Sequence, residues 1–148
     1  MLQGSQSRAL LCFLLPLQHS IFVRKEIDIW LEQAEIDLES AEINFNQKLY
    51  YVCAFLCQQS LEKIMKALFM LREKSSPPAT HNLRELGEAL GLPQELLSKA
   101  RKISRDFILS RYPDAAGDVP AKIYDKEITK EILEETKELF AWLEKQFS

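Results

Sequence analysis

The sequence has 148 residues, the size of one ordinary domain, and 47% of them are hydrophobic against 28% charged, which is the balance of a folded chain. The net charge of −3 excludes a surface that is basic throughout, and four glycines are too few for the turns of a β-sandwich or barrel. Three cysteines at uneven spacing do not make a disulfide framework. We therefore expect a reduced, cytoplasmic, mostly helical domain.

Residues 1–22 differ in composition from the rest of the chain. They contain one arginine, no acidic residue, and an apolar run over residues 9–15 that Pro16 interrupts. The run is shorter than the roughly 18 residues needed to cross a bilayer, and no small-residue cleavage site follows it. Three interpretations of the segment are a signal peptide, a flexible or partner-binding arm, and an over-extended gene start. We favour the third, so that the folded domain occupies residues 23–148.

Two long helices are predicted next. From Glu26 to Phe45 apolar residues recur every three or four positions, which is typical of an amphipathic helix. The segment Tyr50–Glu73 is apolar around most of its circumference, which predicts a helix at the centre of a bundle. Pro77 and Pro78 follow it and cannot continue its backbone hydrogen bonding.

The second half of the chain predicts one short helix and two longer ones. We expect the short helix to begin after Thr80, as its N-cap, and to end before Gly91, in the left-handed conformation. Periodic apolar residues predict further helices from Pro93 to Arg111 and from about Asp125 to Phe147. Their predicted inward positions include Phe107, Ile108, Ile128, Leu139 and Leu143. The fold class is therefore all-α, an antiparallel helical bundle of four long helices and one short one.

The segment Tyr50–Leu68, followed by Pro77–Leu83 and later by Arg111-Tyr112-Pro113-Asp114, resembles the HEPN (higher-eukaryote and prokaryote nucleotide-binding) domain family. Trp30–Leu38 is similar to the first helix of that family, and the resemblance extends from about Val23 to the C-terminus. It implies a bundle of up to five helices that commonly forms homodimers. It also implies a frequent partnership with a separately encoded minimal nucleotidyltransferase, as a toxin–antitoxin pair.

Many HEPN proteins are metal-independent ribonucleases that use the motif Arg-x4–6-His, in which the arginine stabilises phosphate charge and the histidine moves protons. The matching arginine here is Arg111, but residues 112–118 contain no histidine, and the chain has only His19 and His81. The resemblance therefore does not carry a self-contained ribonuclease site over to this sequence. No catalytic residue, metal site or cofactor is predicted.

A set of polar residues is predicted to bind a nucleotide or a phosphate. Positions 59, 63 and 66 share one face of the central helix, and Arg111 is expected to point toward the same groove. Arginine binds phosphate through a bidentate fork and lysine as a point charge, and an aromatic ring can stack on a base. The predicted binding residues are Gln59, Lys63, Lys66, His81, Arg111 and Tyr112.

Each of these candidates also has a structural interpretation. Lys66 has the spacing to pair with Glu62, and Arg111 can cap the end of its helix or bridge to Asp114. His81 can simply belong to the start of the short helix. These alternatives stay open at the level of sequence.

Two further groups are more consistent with structure than with chemistry. Cys53 and Cys57 lie four residues apart on the central helix without a second pair of ligands, which favours core packing over metal binding. The basic residues of the fourth predicted helix can contact RNA, but such a set is usually a solvated face. They are Lys99, Arg101, Lys102 and Arg105.

Two functions follow from the sequence. The first is a homodimeric binding protein, a HEPN partner of a nucleotidyltransferase that holds a nucleotide or RNA phosphate, away from membranes and without catalysis of its own. The alternative is a metal-independent ribonuclease toxin that uses Arg111 with an unrecognised base, such as His81 brought across the bundle. The two hypotheses differ in whether His81 must lie near Arg111.

Overall fold

The computed structural model describes the backbone of residues 6–148 and the side chains of residues 20–148. Within that part of the chain every regular element is helical, which confirms the predicted all-α bundle. The elements are α1 (Gln6–Asn46), α2 (Tyr50–Glu73), α3 (Leu83–Ala89), α4 (Gln94–Ser104), α5 (Asp106–Leu109), α6 (Pro113–Ala116), α7 (Pro120–Ile123), α8 (Lys126–Glu144) and a 3-10 turn (Lys145–Phe147).

Helices α1 and α2 form a hairpin at the centre of the fold. The three-residue connection between them turns at Lys48, whose φ of 62° is left-handed. Ala34 and Ala41 of α1 are fully buried, and the Ser60 hydroxyl donates to the Ala34 carbonyl at 2.8 Å, because small residues let the two backbones approach closely. Helix α2 also contacts α3, α4, α5, α7 and α8, which confirms its predicted central place.

The first helix begins much earlier than predicted. Helix α1 starts at Gln6, not at Glu26, and its backbone is helical on both sides of the proposed 22/23 boundary; residues 17–25 contain neither glycine nor proline to end it. Phe22 is exposed, whereas Val23 packs against the cluster around Ile27. The side chains of residues 1–19, including His19, lie outside the described residues, so the interpretation of the leader stays a prediction.

The cap of the short helix differs from the prediction by two residues. The side chain of Asn82, not Thr80, accepts the Arg84 N–H at 3.0 Å and caps α3. The Thr80 hydroxyl instead accepts the Asn82 N–H at 3.0 Å, so it holds the turn that precedes the helix. Gly91 adopts the predicted left-handed φ, at 68°.

The fourth predicted helix is interrupted at Arg105, so that α4 and α5 are separate. Beyond the interruption the buried positions are Asp106 and Ser110, whereas Ile108, predicted to be buried, is 48% exposed. The Tyr124 hydroxyl donates to the Asp106 carboxylate at 2.6 Å, so a residue of a later segment satisfies this carboxylate in the core. The buried face beyond Arg105 is therefore not the face that the apolar spacing predicted.

Helix α8 closes the bundle against α2 and α4. Leu139 and Leu143 are fully buried as predicted, but Ile128 is exposed because Thr129, the next residue, takes the buried position in the first turn. No helix in the described part of the chain is both long enough and apolar enough to cross a membrane.

Candidate functional site

The guanidinium of Arg111 lies among three aromatic rings just after α5. Its central carbon is 4.3 Å from the ring centre of Phe107, 4.7 Å from that of Phe55 and 5.2 Å from that of Tyr112. The Arg111 Nε donates to the Phe107 carbonyl at 2.9 Å, so the predicted capping of a helix-end carbonyl is present. The rings attract the cation through their quadrupoles, and together with the Nε bond they fix its direction.

The two terminal amino groups of Arg111 remain available. Within the described residues they form neither an ion pair nor a hydrogen bond, and the alternative bridge to Asp114 is not formed. An exposed arginine that is held by its Nε and by neighbouring rings keeps its terminal amino groups for an anion.

His81 lies on the same aromatic ring as Arg111. Its imidazole stacks on Phe107 with a centroid distance of 4.4 Å and an interplanar angle of 14°, so it cannot be farther from the guanidinium than the sum of their distances to that ring. The two groups are therefore at most 8.7 Å apart, and their joint action on one ligand stays a prediction. We call His81, Phe107, Arg111, Tyr112 and Phe55 the Phe107 cluster.

A buried carboxylate holds the imidazole in place. The His81 Nδ1 is 2.9 Å from Glu62 Oε1, and the histidine side chain is 61% exposed while that of the glutamate is 8% exposed. Because a carboxylate can only accept, the neutral imidazole donates from Nδ1 and keeps the lone pair on Nε2. The Nε2 atom has no partner within the described residues.

Glu62 is itself surrounded by donors. Lys66 Nζ is 2.8 Å from Oε1, and Gln58 Nε2 donates to Oε2 at 3.1 Å and to the His81 carbonyl at 3.0 Å. Burial raises the pKa of Glu62, but the hydrogen bonds from Lys66, His81 and Gln58 together outweigh it and lower the pKa. The glutamate is therefore ionised at neutral pH.

Three predicted binding residues lie in this network, behind the Phe107 cluster. Lys66 is buried and paired with Glu62, as the structural interpretation proposed. Lys63 Nζ is 2.6 Å from Asp37 Oδ2 and also donates to Gln59 Oε1 at 3.2 Å. The cationic groups of both lysines are thus bound by carboxylates of the chain, whereas His81, Arg111 and Tyr112 are each exposed.

An open groove of about 520 Å³ adjoins the cluster between α3 and α4. We call it the arginine groove, and its lining residues are His81, Asn82, Arg84, Arg101, Ser104, Arg105, Phe107 and Ile108. Sequence reasoning assigned Phe107 to the core and the arginines to a solvated face. The sequence contains one indication of this groove. Arg101 and Arg105 are four residues apart, which places them on one side of a helix.

Other reactive groups are buried. Cys53 and Cys57 are fully buried as predicted, and the hydrogen bond to Cys53, followed by burial, raises the pKa of the Cys57 thiol. Burial also raises the pKa of Asp106 to about 6, against the hydrogen bond from Tyr124, which lowers it. Within the described residues no three His, Cys, Asp or Glu side chains are grouped as metal ligands.

A model of the HEPN domain family matches residues 27–146. The chain belongs to the HEPN family. The crystal structure of TT1696 from Thermus thermophilus is similar with a TM-score of 0.71 and 26% identity, over 81% of this chain and 97% of that one. The crystal structure of ST0689, an archaeal HEPN homologue, gives 0.67 and 26% over 82% and 98%. No curated protein matches.

Proposed function

We propose that this HEPN-family protein binds the phosphate of a nucleotide or of RNA at the Phe107 cluster. The observation that carries the proposal is exposed Arg111, which three rings and one backbone bond hold in place, while its two terminal amino groups form no bond within the described residues. Exposed Tyr112 offers a ring for a base beside that anion site. His81 adds a second donor when it is protonated.

The binding proposal is tested by comparing ligands with and without a phosphate. Calorimetry with adenosine 5′-monophosphate, adenosine and a short single-stranded RNA measures the affinity of each. We expect the two phosphate-bearing ligands to bind and to weaken as salt is raised. Equal affinity for adenosine and its monophosphate would refute a phosphate site.

We further propose that the protein acts in the cytoplasm as a homodimer, with a separate nucleotidyltransferase as partner in a toxin–antitoxin-type system. HEPN proteins are commonly dimeric, and exposed Ile29, Ile36 and Ile43 of α1 are the kind of apolar surface that a second copy covers. Light scattering should return about twice the chain mass of 17.2 kDa at micromolar concentration; the monomer mass would refute the dimer. The partner proposal requires a nucleotidyltransferase gene beside this one and a complex on co-expression.

A second candidate function is RNA cleavage, and the Glu62–His81 contact favours it. In that reaction the 2′-oxygen of RNA attacks the adjacent phosphorus, the bond to the 5′-oxygen breaks, and a cyclic phosphate forms. His81 Nε2 takes the 2′-hydroxyl proton, the leaving 5′-oxygen receives a proton from water, and Arg111 stabilises the charge on phosphorus. Cleavage of RNA but not of its 2′-deoxy analogue, abolished by His81→Ala, would support catalysis; binding of uncleaved RNA supports the first function alone.

A further inference from the structure

We propose that Asp106 is a pH-sensitive switch for the Phe107 cluster: its neutral carboxyl group holds α5 in the core, and its ionisation releases α5 and weakens phosphate binding. The inference rests on the proposed function for its ligand and adds the regulation of that site. Helix α5 carries Phe107, whose ring contacts His81 and Arg111 and whose carbonyl accepts the Arg111 Nε–H. Asp106 acts through Phe107 and is therefore a positioning residue.

Helix α5 is anchored in the core by polar residues. It is four residues long and is separated from α4 at Arg105. Asp106 and Ser110 are 2% and 1% exposed, whereas the three apolar residues between them are exposed or half-buried. The Ser110 hydroxyl donates to the Asp106 carbonyl. The segment therefore has few of the buried apolar contacts that protect a helix against local opening.

The Asp106 carboxylate is buried without a cation. Within the described residues it accepts one hydrogen bond, from the Tyr124 hydroxyl at 2.6 Å, and forms no ion pair. The other groups that face it are the Cys57 thiol of α2 and the charge of Arg105 at the end of α4. Helix α6 also contacts α5, and its one titratable residue, Asp114, is exposed. Burial raises the pKa of Asp106 to about 6, although the Tyr124 hydrogen bond and the Arg105 charge lower it.

The direction of the pH effect follows from the arrangement in which the carboxyl group is neutral. An aspartate in water has a pKa near 4, so released Asp106 ionises at a lower pH than Asp106 in the core. Its contribution to holding α5 is therefore complete below about pH 4 and is lost as pH rises through 6. Between pH 5 and pH 8 the ratio of the held to the released arrangement should fall about tenfold.

Amide hydrogen exchange followed by NMR measures this ratio without a ligand. The N–H groups of residues 109, 110 and 112 donate to carbonyls within residues 105–108, so their protection factors, corrected for intrinsic exchange, report on α5. Their protection should fall about tenfold between pH 5 and pH 8 in the unchanged protein. It should not fall in Asp106→Asn, whose side chain does not ionise. The control Asp114→Asn removes an exposed carboxylate of α6 and should keep the tenfold fall.

Two further variants separate Asp106 from its neighbours. Tyr124→Phe removes the hydrogen bond that lowers the pKa of Asp106, so protection should fall by more than tenfold over the same range. His81→Gln removes the imidazole next to Phe107, and the fall should persist. In this variant, calorimetry with adenosine 3′,5′-cyclic monophosphate, whose charge is constant over the range, should show affinity falling by up to about tenfold from pH 5 to pH 8. Adding Asp106→Asn should abolish that fall.

Four results would overturn the inference while leaving the proposed function intact. They are α5 protection that does not change with pH, an equal fall in Asp106→Asn, α5 amides that exchange as slowly as the interior of α2, and pH-independent affinity in His81→Gln. The third would mean that α5 opens only with the whole fold. Failure of the cyclic nucleotide to bind the unchanged protein at any pH would instead refute the proposed function, and the regulation of a phosphate site with it.

Discussion

Replacing Arg111 by lysine separates the chemistry of the guanidinium from its charge. Lysine keeps the cation but has no Nε–H to donate to the Phe107 carbonyl at 2.9 Å and no planar group to stack on the rings. Loss of one such hydrogen bond costs about 1 kcal/mol. For a chain of this size, that lowers the melting temperature by roughly 2–4 °C.

The effect on binding should be larger than the effect on folding. In the proposed site the two terminal amino groups of Arg111 form the fork that binds a phosphate, and a lysine ammonium replaces this fork with a point charge. We expect Arg111→Lys to weaken nucleotide or RNA binding by about 1–3 kcal/mol, roughly 5- to 150-fold. Calorimetry on the folded variant measures this directly.

Arg72→Lys is the matched control. Arg72 donates to the Leu90 carbonyl and to Gln146 Oε1, both at 3.0 Å, and it lies seventeen residues beyond Phe55 on α2, about 25 Å along the helix axis. Its replacement should lower stability by a similar amount and leave binding unchanged. If Arg111→Lys also lowers only stability, Arg111 is a helix-end brace and the binding proposal is wrong.

Three further predictions concern stability. Burial raises the pKa of Asp106 to about 6, so its contribution to the free energy of unfolding is complete below the unfolded pKa near 4 and is lost as pH rises through 6. At pH 7, Asp106→Asn should therefore have a free energy of unfolding up to about 3 kcal/mol higher than that of the wild type. Denaturant unfolding that finds no increase would contradict this prediction. Glu62→Gln should lower the free energy of unfolding by about 3–5 kcal/mol in the same assay, because it leaves Lys66 as an uncompensated buried cation. A decrease below about 1 kcal/mol would show that the Lys66 ammonium reaches water. Deletion of residues 1–22 should leave the melting temperature unchanged, since Ile21 and Phe22 are exposed; a fall of several degrees would show that the segment packs.

Sequence patterns within a single helix or turn correctly predicted the features of the fold that depend only on neighbouring residues. Helix α2 is central because it is apolar around most of its circumference, and Gly91 is left-handed because a residue without Cβ suits that position. The buried face beyond Arg105 was not predictable in this way, since there Asp106 is buried against Tyr124, which lies eighteen residues away. The start of α1 was missed because a change of composition near Val23 was interpreted as a change of structure.

In the candidate site, too, features within one helix were predictable from the sequence, whereas contacts between helices were not. The i, i+4 spacing correctly predicted the Lys66–Glu62 pair, and the shared face of Gln59 and Lys63 is real. Whether those groups face a ligand depends on Asp37, which α1 brings to Lys63 and which no pattern within α2 reveals. The packing of His81 and Arg111 on the Phe107 ring also depends on the tertiary fold. It was missed because Phe107 was predicted only as a core residue.

The contrast between two arginines shows why bracing and binding are compatible in Arg111. Arg72 directs both terminal amino groups to its own chain, at the Leu90 carbonyl and the Gln146 amide oxygen, so no fork is left for a ligand. Arg111 directs only Nε to its own chain, and its central carbon lies 4.3 Å from the ring centre of Phe107, so that its terminal amino groups are left for a ligand. In the proposed site a phosphate binds these amino groups end-on, beside exposed Tyr112, and the bond that braces the helix end also orients the guanidinium.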